Sequence, residues 1–371
     1  MNKRTVQLLY KRLARAMRSR RGRWWTWLGL WVAGSMAVTI LLPGFLAVSP
    51  AGGAAGPGAR SAEQGAAPSG GGPGTQPGES AAAPPVIPVY LTKEARIDQV
   101  ELETYVRGVV AAEMPIEFEL EALKAQAMAA RTYIVRRWLA GDHSNVPAPE
   151  ALVTDTVAHQ VYLTDEQLRQ QWGANADRYF DKLQKAVQAT KGWILTYEDQ
   201  PIEAFFFSTS NGYTENSEDY WGKAIPYLRA VESPWDKNSA PKFRETVTMP
   251  YQEFAAKLGI PSTYSASATI TGSRILKLTD GHRVASVRIG GKTLTGREVR
   301  EKLKLNSTQF QWSLKGSTVE IATTGYGHGV GMSQWGANGM AKEGSSAEQI
   351  VGHYYTGVTV WKNGDYSKLK E

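Results

Sequence analysis

The chain has 371 residues, 42% of them hydrophobic and 21% charged, with no cysteine and a formal charge of +7. The missing cysteines exclude a disulfide framework, a thiol nucleophile and a cysteine zinc site. The charge is uneven: residues 1–23 hold nine Lys and Arg and no acid, so the remaining 33 basic residues face 35 acidic ones. The basic character therefore belongs to the N-terminus, which removes the main argument for nucleic-acid binding.

Residues 24–48 are apolar and uncharged, long enough to span a bilayer. Trp24, Trp25, Trp27 and Trp31 cluster where an interfacial aromatic belt falls. With the basic segment 1–23 held in the cytoplasm, everything beyond is exported. A cleaved signal peptide is the competing reading, since Ala47-Val48-Ser49 offers a cleavage site, but the apolar run is long for one. A retained single-pass anchor is the expectation. Residues 49–85 are rich in Gly, Ala, Pro and Ser and read as a flexible linker.

The folded part is expected over 86–371, as one α+β domain with a helical first part and later antiparallel hairpins. Ile87–Leu91 reads as a strand. Leu102, Val106 and Val109 recur at helical spacing, and Glu113 continues their face one turn later. Pro115 then ends the helix. A carboxyl on the buried side of a helix C-terminus holds its proton, because burial and the negative end of the helix dipole both disfavour the anion. That is what a general acid needs. The bland reading turns Glu113 outward to solvate the helix end. A second helix follows, with Leu120, Leu123, Ala127, Ala130 and Ile134 on one face. Arg131 lies beside that face, either as a surface arginine or as a cation that orients a carboxylate or substrate.

Gly141–Tyr162 is an irregular loop containing His143 and His159. Thr164 and Gln167 have capping-box spacing and open a helix expected to run through Trp172 to Val187. Trp193–Tyr197 and Ile202–Ser208 read as a hairpin around Asp199-Gln200. It delivers Ser208, Ser210 and Asn211 as a polar turn. Asp219–Pro241 reads as a loop rich in aromatic residues. Tyr251–Leu258 and Gly296–Leu303 look helical, and hairpins are expected around Asp280-Gly281 and Lys315-Gly316. The run Gly325–Ala337 alternates glycine with Tyr326, His328, Ser333 and Gln334, a backbone able to approach a ligand closely with hydrogen-bonding groups between. A helix near Ala347–Tyr355 and a strand near Val358–Trp361 close the chain.

A phosphate loop fails for want of its Lys-Ser/Thr ending. A serine-hydrolase elbow fails because Gly331-Met332-Ser333-Gln334-Trp335 lacks the last glycine. The five histidines are scattered, with no His-Glu-x-x-His. Glu215, Glu218, Asp219 and Glu232 leave a two-carboxylate glycosidase open.

Four motifs in order carry a resemblance. They are Glu113-Met114-Pro115 with Ala125-Gln126-Ala127 and Ala130-Arg131-Thr132-Tyr133; the Ser208–Gly212 turn; Ala230-Val231-Glu232-Ser233-Pro234; and Gly327 to Ala337. From about residue 86 to its end the chain resembles the stage II sporulation protein D and amidase enhancer domain family. The resemblance implies a membrane-anchored, extracytoplasmic lytic transglycosylase acting in the engulfment step of sporulation. Its substrate is the β-1,4 bond between N-acetylmuramic acid and N-acetylglucosamine in peptide-stripped peptidoglycan, cleaved to 1,6-anhydro products. Glu113 falls on the family's catalytic acid. Arg131, Ser208, Ser210, Asn211, Tyr326, His328, Ser333 and Gln334 are then expected to line the glycan site. No cofactor is implied. Some relatives hold zinc with cysteines near the loop equivalent to 155–160, and this chain has only His159 there, so no metal is expected. The implied partners are glycan strands, the membrane, the amidase stage II sporulation protein P and stage II sporulation protein M. The alternative from another class is a non-enzymatic glycan-binding module that stimulates an amidase.

Overall fold

The computed structural model describes residues 85–369, apart from residue 262. The basic segment 1–23, the apolar segment 24–48 and all but the last residue of the linker lie outside these. Among the described residues, no helix is long and apolar enough to cross a membrane.

β1 (Val86–Leu91) pairs antiparallel with β2 (Arg96–Glu101), Val86 opposite Glu101 and Leu91 opposite Arg96. Ile87, Val89 and Leu91 alternate inward, as one buried sheet face requires. β2 runs directly into α1 (Leu102–Glu113), whose first turn is capped by the Glu101 side chain accepting from the Thr104 amide. Met114 is extended at φ −120° and ψ 142°, the conformation that Pro115 imposes on its predecessor, and the helix stops there. α2 (Leu120–Ala140) is the central element. Its alanines 122, 125, 127, 129 and 130 are all buried, which lets α1 and later helices pack close. Gly141 ends it in the left-handed conformation.

β3 (Val153–Thr154) adds to β1 in parallel. α3 (Asp165–Trp172) opens with the expected capping box of Thr164 and Gln167. The single long helix expected here is broken: Gly173, at φ 52°, ends α3, and α4 (Ala176–Ala189) starts afresh. β4 (Ile194–Tyr197) turns at Glu198-Asp199, both at positive φ, into β5 (Gln200–Pro201). That hairpin is shorter than expected. β6 (Phe206–Phe207) leaves it and pairs in parallel with Met332–Ser333, more than a hundred residues away. The stretch expected as a loop contains α5 (Ser217–Trp221) and α6 (Asp236–Ser239).

Residues 244–324 form a second lobe inserted into the first. β7 (Arg244–Pro250) leads to α7 (Tyr251–Leu258), α8 (Ala266–Thr271), the sheet β8 (Arg274–Leu278), β9 (Val284–Ile289) and β10 (Lys292–Thr295), then α9 (Gly296–Leu303). β11 (Phe310–Lys315) and β12 (Thr318–Thr324) form the expected hairpin around Lys315-Gly316. β12 also pairs with β7, Thr324 opposite Arg244, so the lobe begins and ends at one place. Met249, Phe254, Val287, Ile289, Val299, Phe310 and Ile321 belong to its own core, separate from the larger core around α1 and α2. The chain returns to the first lobe as β13 (Met332–Ser333), α10 (Gln334–Lys342), α11 (Ala347–Tyr354) and β14 (Thr359–Trp361), the last beside β4. The lobes differ in charge. Residues 244–324 hold twelve Lys and Arg against six Asp and Glu, whereas residues 85–243 hold 16 against 23.

Candidate active site

Glu113 ends α1 half-buried, with Leu102, Val106 and Val109 of the same face in the core. The loop after β3 closes over it. The Val161 amide donates to Glu113 Oε1 at 3.1 Å. The loop reaches this place because it is tied down on both sides. Thr92 N donates to Asp155 Oδ1, Tyr162 N donates to the Asp155 carbonyl, Tyr105 OH donates to Gln160 Oε1 at 3.3 Å, and Tyr162 stacks on Tyr105. Gly108 permits the approach. A Cβ there would fall 2.4 Å from the Tyr162 ring and 2.5 Å from the Leu163 carbonyl oxygen. A glycine in mid-helix was the sequence signal for this contact, and sequence reasoning passed over it.

Burial pushes the Glu113 carboxyl up to about 7, and the Val161 hydrogen bond partly offsets the rise by favouring the anion. A group poised there can give a proton and take one back at neutral pH, the property a single acid-then-base residue requires. The turn that follows is fixed to α10. Phe118 meets Trp335 edge-on at 4.7 Å between ring centres, and Glu119 N donates to Asn338 Oδ1 at 2.8 Å. The glycine-rich segment and the Glu113 turn are thereby joined through one helix.

The other residues expected at the site fall into three groups. Arg131 is fully buried and does not serve Glu113. Its Nε and Nη2 donate to the two Glu103 oxygens at 2.9 and 2.6 Å, and Nη1 donates to the Trp193 carbonyl at 3.1 Å. It clamps α1 to α2 and to the start of β4, out of reach of any glycan.

Ser210 and Ser333 are also fully buried, and the cause is a residue the sequence reading missed. Asp236 accepts from Ser210 N at 2.7 Å, Ser333 Oγ at 2.5 Å and Ser233 Oγ at 2.9 Å. Burial raises its carboxyl even so. The network joins the Ser208–Gly212 turn, α6 and the start of α10, with Tyr354 OH on Ser233. A hydroxyl and a carboxylate three residues apart, Ser233-x-x-Asp236, were the available signal. Ser208 is half-buried, with Oγ on Thr209 Oγ1 at 3.2 Å. Asn211 is half-buried and spends its amide on the Gly281 carbonyl of the second lobe.

Tyr326 is 4% exposed, pairs through its backbone with Thr209, and has Lys242 Nζ 5.0 Å from its ring centre. His328 lies among Phe205, Phe207, Tyr220 and Trp221. Burial, with Arg300 and Arg283 nearby, pushes its imidazole down to about 3. It is a neutral staple whose Nδ1 accepts from Val330 N at 3.1 Å. Gln334 is 7% exposed, and its Nε2 has no hydrogen-bond partner among the described residues. Of the set, Glu113 and Gln334 remain closest to the requirements of a site, and the serines and Arg131 hold structure.

The glycines of this loop are needed for space. Gly331 has φ +80°, and a Cβ there would lie 2.1 Å from the Phe205 carbonyl oxygen, where β6 and β13 meet. Gly331→Ala is expected to cost at least about 2 kcal/mol, read as a lowered melting temperature, with no change in the intrinsic acidity of Glu113.

Two of the loop carboxylates, Glu215 and Glu218, are engaged, and Glu232 is exposed. Glu215 is 2% exposed, 3.9 Å from the Arg283 guanidinium and bonded by Thr279 Oγ1 at 2.7 Å; Glu218 pairs with Arg229. With Asp219, Tyr220 and Arg297 they line a pocket of about 160 Å³ between the lobes. His159 uses Nδ1 on Thr154 and Nε2 on the Ser144 carbonyl, and His143 Nδ1 meets the Ala151 carbonyl. Among the described residues no three His, Asp or Glu gather as metal ligands.

Fold and site define a two-lobed α+β protein whose distinguishing group is a proton-holding glutamate at a helix end. Comparison with known proteins narrows this. The SpoIID family model, stage II sporulation protein, matches residues 90–197. The chain is 53% identical over 281 residues to stage II sporulation protein D of Bacillus subtilis (strain 168), covering 75% of this chain and 80% of that one. It is 51% identical over 278 residues to the protein of that name in Bacillus amyloliquefaciens, covering 75% and 79%. It is 30% identical over 307 residues to the amidase enhancer of Bacillus subtilis (strain 168), covering 68% of this chain and 40% of that one. The chain belongs to the stage II sporulation protein D family.

Proposed function

We propose that this chain is a lytic transglycosylase of peptidoglycan, anchored by residues 24–48 and acting outside the membrane on peptide-stripped glycan. The observation that carries the reading is Glu113, half-buried, held near pH 7 and bonded by one backbone amide. Protonated Glu113 gives its proton to the glycosidic oxygen that leaves C1 of N-acetylmuramic acid. As a carboxylate it then takes the proton of the same sugar's 6-hydroxyl, whose oxygen closes onto C1 to form the 1,6-anhydro ring. The Val161 N–H favours the carboxylate between the two transfers. The nucleophile is intramolecular, so no second carboxylate is needed to activate water or form a glycosyl-enzyme.

The sporulation setting follows from the family, and the engulfment role and the partners stage II sporulation proteins P and M are part of this proposal. The second reading is a glycan-binding module that stimulates an amidase. The likeness to a protein named amidase enhancer favours it.

The full chain in detergent, incubated with peptide-free glycan strands and read by mass spectrometry, separates the readings. Anhydro-ended fragments are the expected result. Reducing-end fragments would mean hydrolysis, and intact strands bound without cleavage would favour the amidase-stimulating module.

A further inference from the structure

We propose that the outer edge of the second lobe, strand β8, docks on an anionic lipid bilayer and sets the orientation of the enzyme on its membrane. All five β8 residues are exposed, including Ile275 at 41%, Leu276 at 42% and Leu278 at 51%. Three large apolar side chains on a free sheet edge are unusual, because such an edge invites pairing and is ordinarily shielded. Tyr264, 47% exposed, is another open aromatic residue of this lobe: its hydroxyl lies 3.9 Å from where a Cβ on Gly291 would sit, at the β9–β10 turn. β8 is the edge of the order β10-β9-β8, so nothing in the sheet covers it.

Charge identifies the occupant. Arg274 and Lys277 flank the adjacent Ile275 and Leu276 on β8, and Arg274 lies opposite Arg288 on β9. Lys292, also exposed, begins β10. The whole lobe is basic, and the first lobe is acidic. Two copies paired along β8 would bring these cations together without an acid between them. An anionic surface instead attracts each lysine or arginine near it, while the apolar tips enter the headgroup boundary. The long stems of Arg274 and Lys277 allow both at once.

The proposal rests on the anchored reading for its geometry. With an anchor at 24–48 only 37 residues (49–85) before the folded part, β8 meets the surface at high effective concentration. Weak docking is then enough. It would direct the first lobe, with Glu113, away from the lipid or along it in one fixed attitude rather than many.

The absence of cysteine makes a clean test. The full chain bearing Leu276→Cys, labelled with an environment-sensitive fluorophore, is reconstituted in vesicles containing phosphatidylglycerol or in phosphatidylcholine alone. A second preparation carries the label at Ser345→Cys on the first lobe. Recovery with the vesicles reports the anchor, and quenching by nitroxide lipids reports the docking. Glycan cleavage is measured separately on soluble strands, so failure of the enzymatic reading is seen independently. In anionic vesicles the label at 276 is expected to be quenched at least about threefold more than at 345, a difference that falls with salt and in the Arg274→Glu/Lys277→Glu variant. Equal quenching at 276 and 345 overturns the proposal. So does a label at 276 that responds to protein concentration and not to lipid, which would make β8 a contact between copies. A response to soluble polyphosphate equal to that in vesicles also overturns it, because the ligand would then be a polyanion without an apolar phase.

Discussion

Glu113→Gln is expected to abolish anhydro-product formation and, above pH 7, to make the protein more stable. Loss of a general acid costs about two to four orders of magnitude in rate, and here one residue serves both proton transfers. Glutamine keeps the size and can still accept from Val161 N. The stability effect follows from linkage. The folded carboxyl titrates near 7, above its unfolded value, so between about pH 4.5 and 7 the native state holds a proton that the unfolded chain has released. Stability therefore falls as pH rises through that window and stays lower above it, by roughly 3 kcal/mol. Glu113→Gln removes that loss: its melting temperature should match the parent at pH 4 and exceed it at pH 8. The parent's kcat/KM should fall above pH 7 with the fraction of protonated Glu113. His328, pushed down to about 3, contributes no limb between pH 5 and 8. An inactive Glu113→Gln whose pH–stability curve overlays the parent's would refute the buried, protonated state while leaving a role in binding.

Arg131→Ala is expected to cost about 3–5 kcal/mol, because it leaves the Glu103 carboxylate buried and uncompensated between α1 and α2. It also frees the Trp193 carbonyl that Arg131 Nη1 bonds. Urea and thermal unfolding measure the cost. The double variant Glu103→Leu/Arg131→Leu should recover most of it, since apolar residues of similar size often replace a buried pair without loss. A substrate-binding arginine gives the opposite pattern: Arg131→Ala with unchanged melting and weakened glycan binding. That result would return Arg131 to the site.

Local spacing made much of the backbone legible. The face Leu102, Val106, Val109, Glu113 is a three-turn helix in fact, ended where Pro115 requires. The capping box at Thr164, the hairpins around Asp280-Gly281 and Lys315-Gly316, and α7 and α9 also stand where their few neighbouring residues dictate. These features are settled by interactions within about ten residues. Misses inside the same range have local causes too: Gly173 adopts positive φ and divides a helix whose apolar period continues past it.

Arg131, Ser210 and Ser333 were read as ligand-binding where the fold uses them internally. A serine or arginine looks the same in sequence whether its partner is a sugar or a distant carboxylate. Arg131 meets Glu103 across the α1–α2 pair, and Ser210 and Ser333 meet Asp236 from opposite parts of the chain. Only closure of the first lobe puts those groups within 3 Å. The setting of Glu113 was legible because both influences on its proton, an apolar helix face and a helix C-terminus, are written in adjacent turns. What sequence alone determined, then, was the place of Glu113 at a helix end, the helices around it and the hairpins. Tertiary structure alone decided that residues 244–324 form a separate basic lobe, that β6 pairs with β13, and that Val161 is the amide at the acid. Each of those depends on contacts between segments far apart in the chain, and residue spacing carries no record of them.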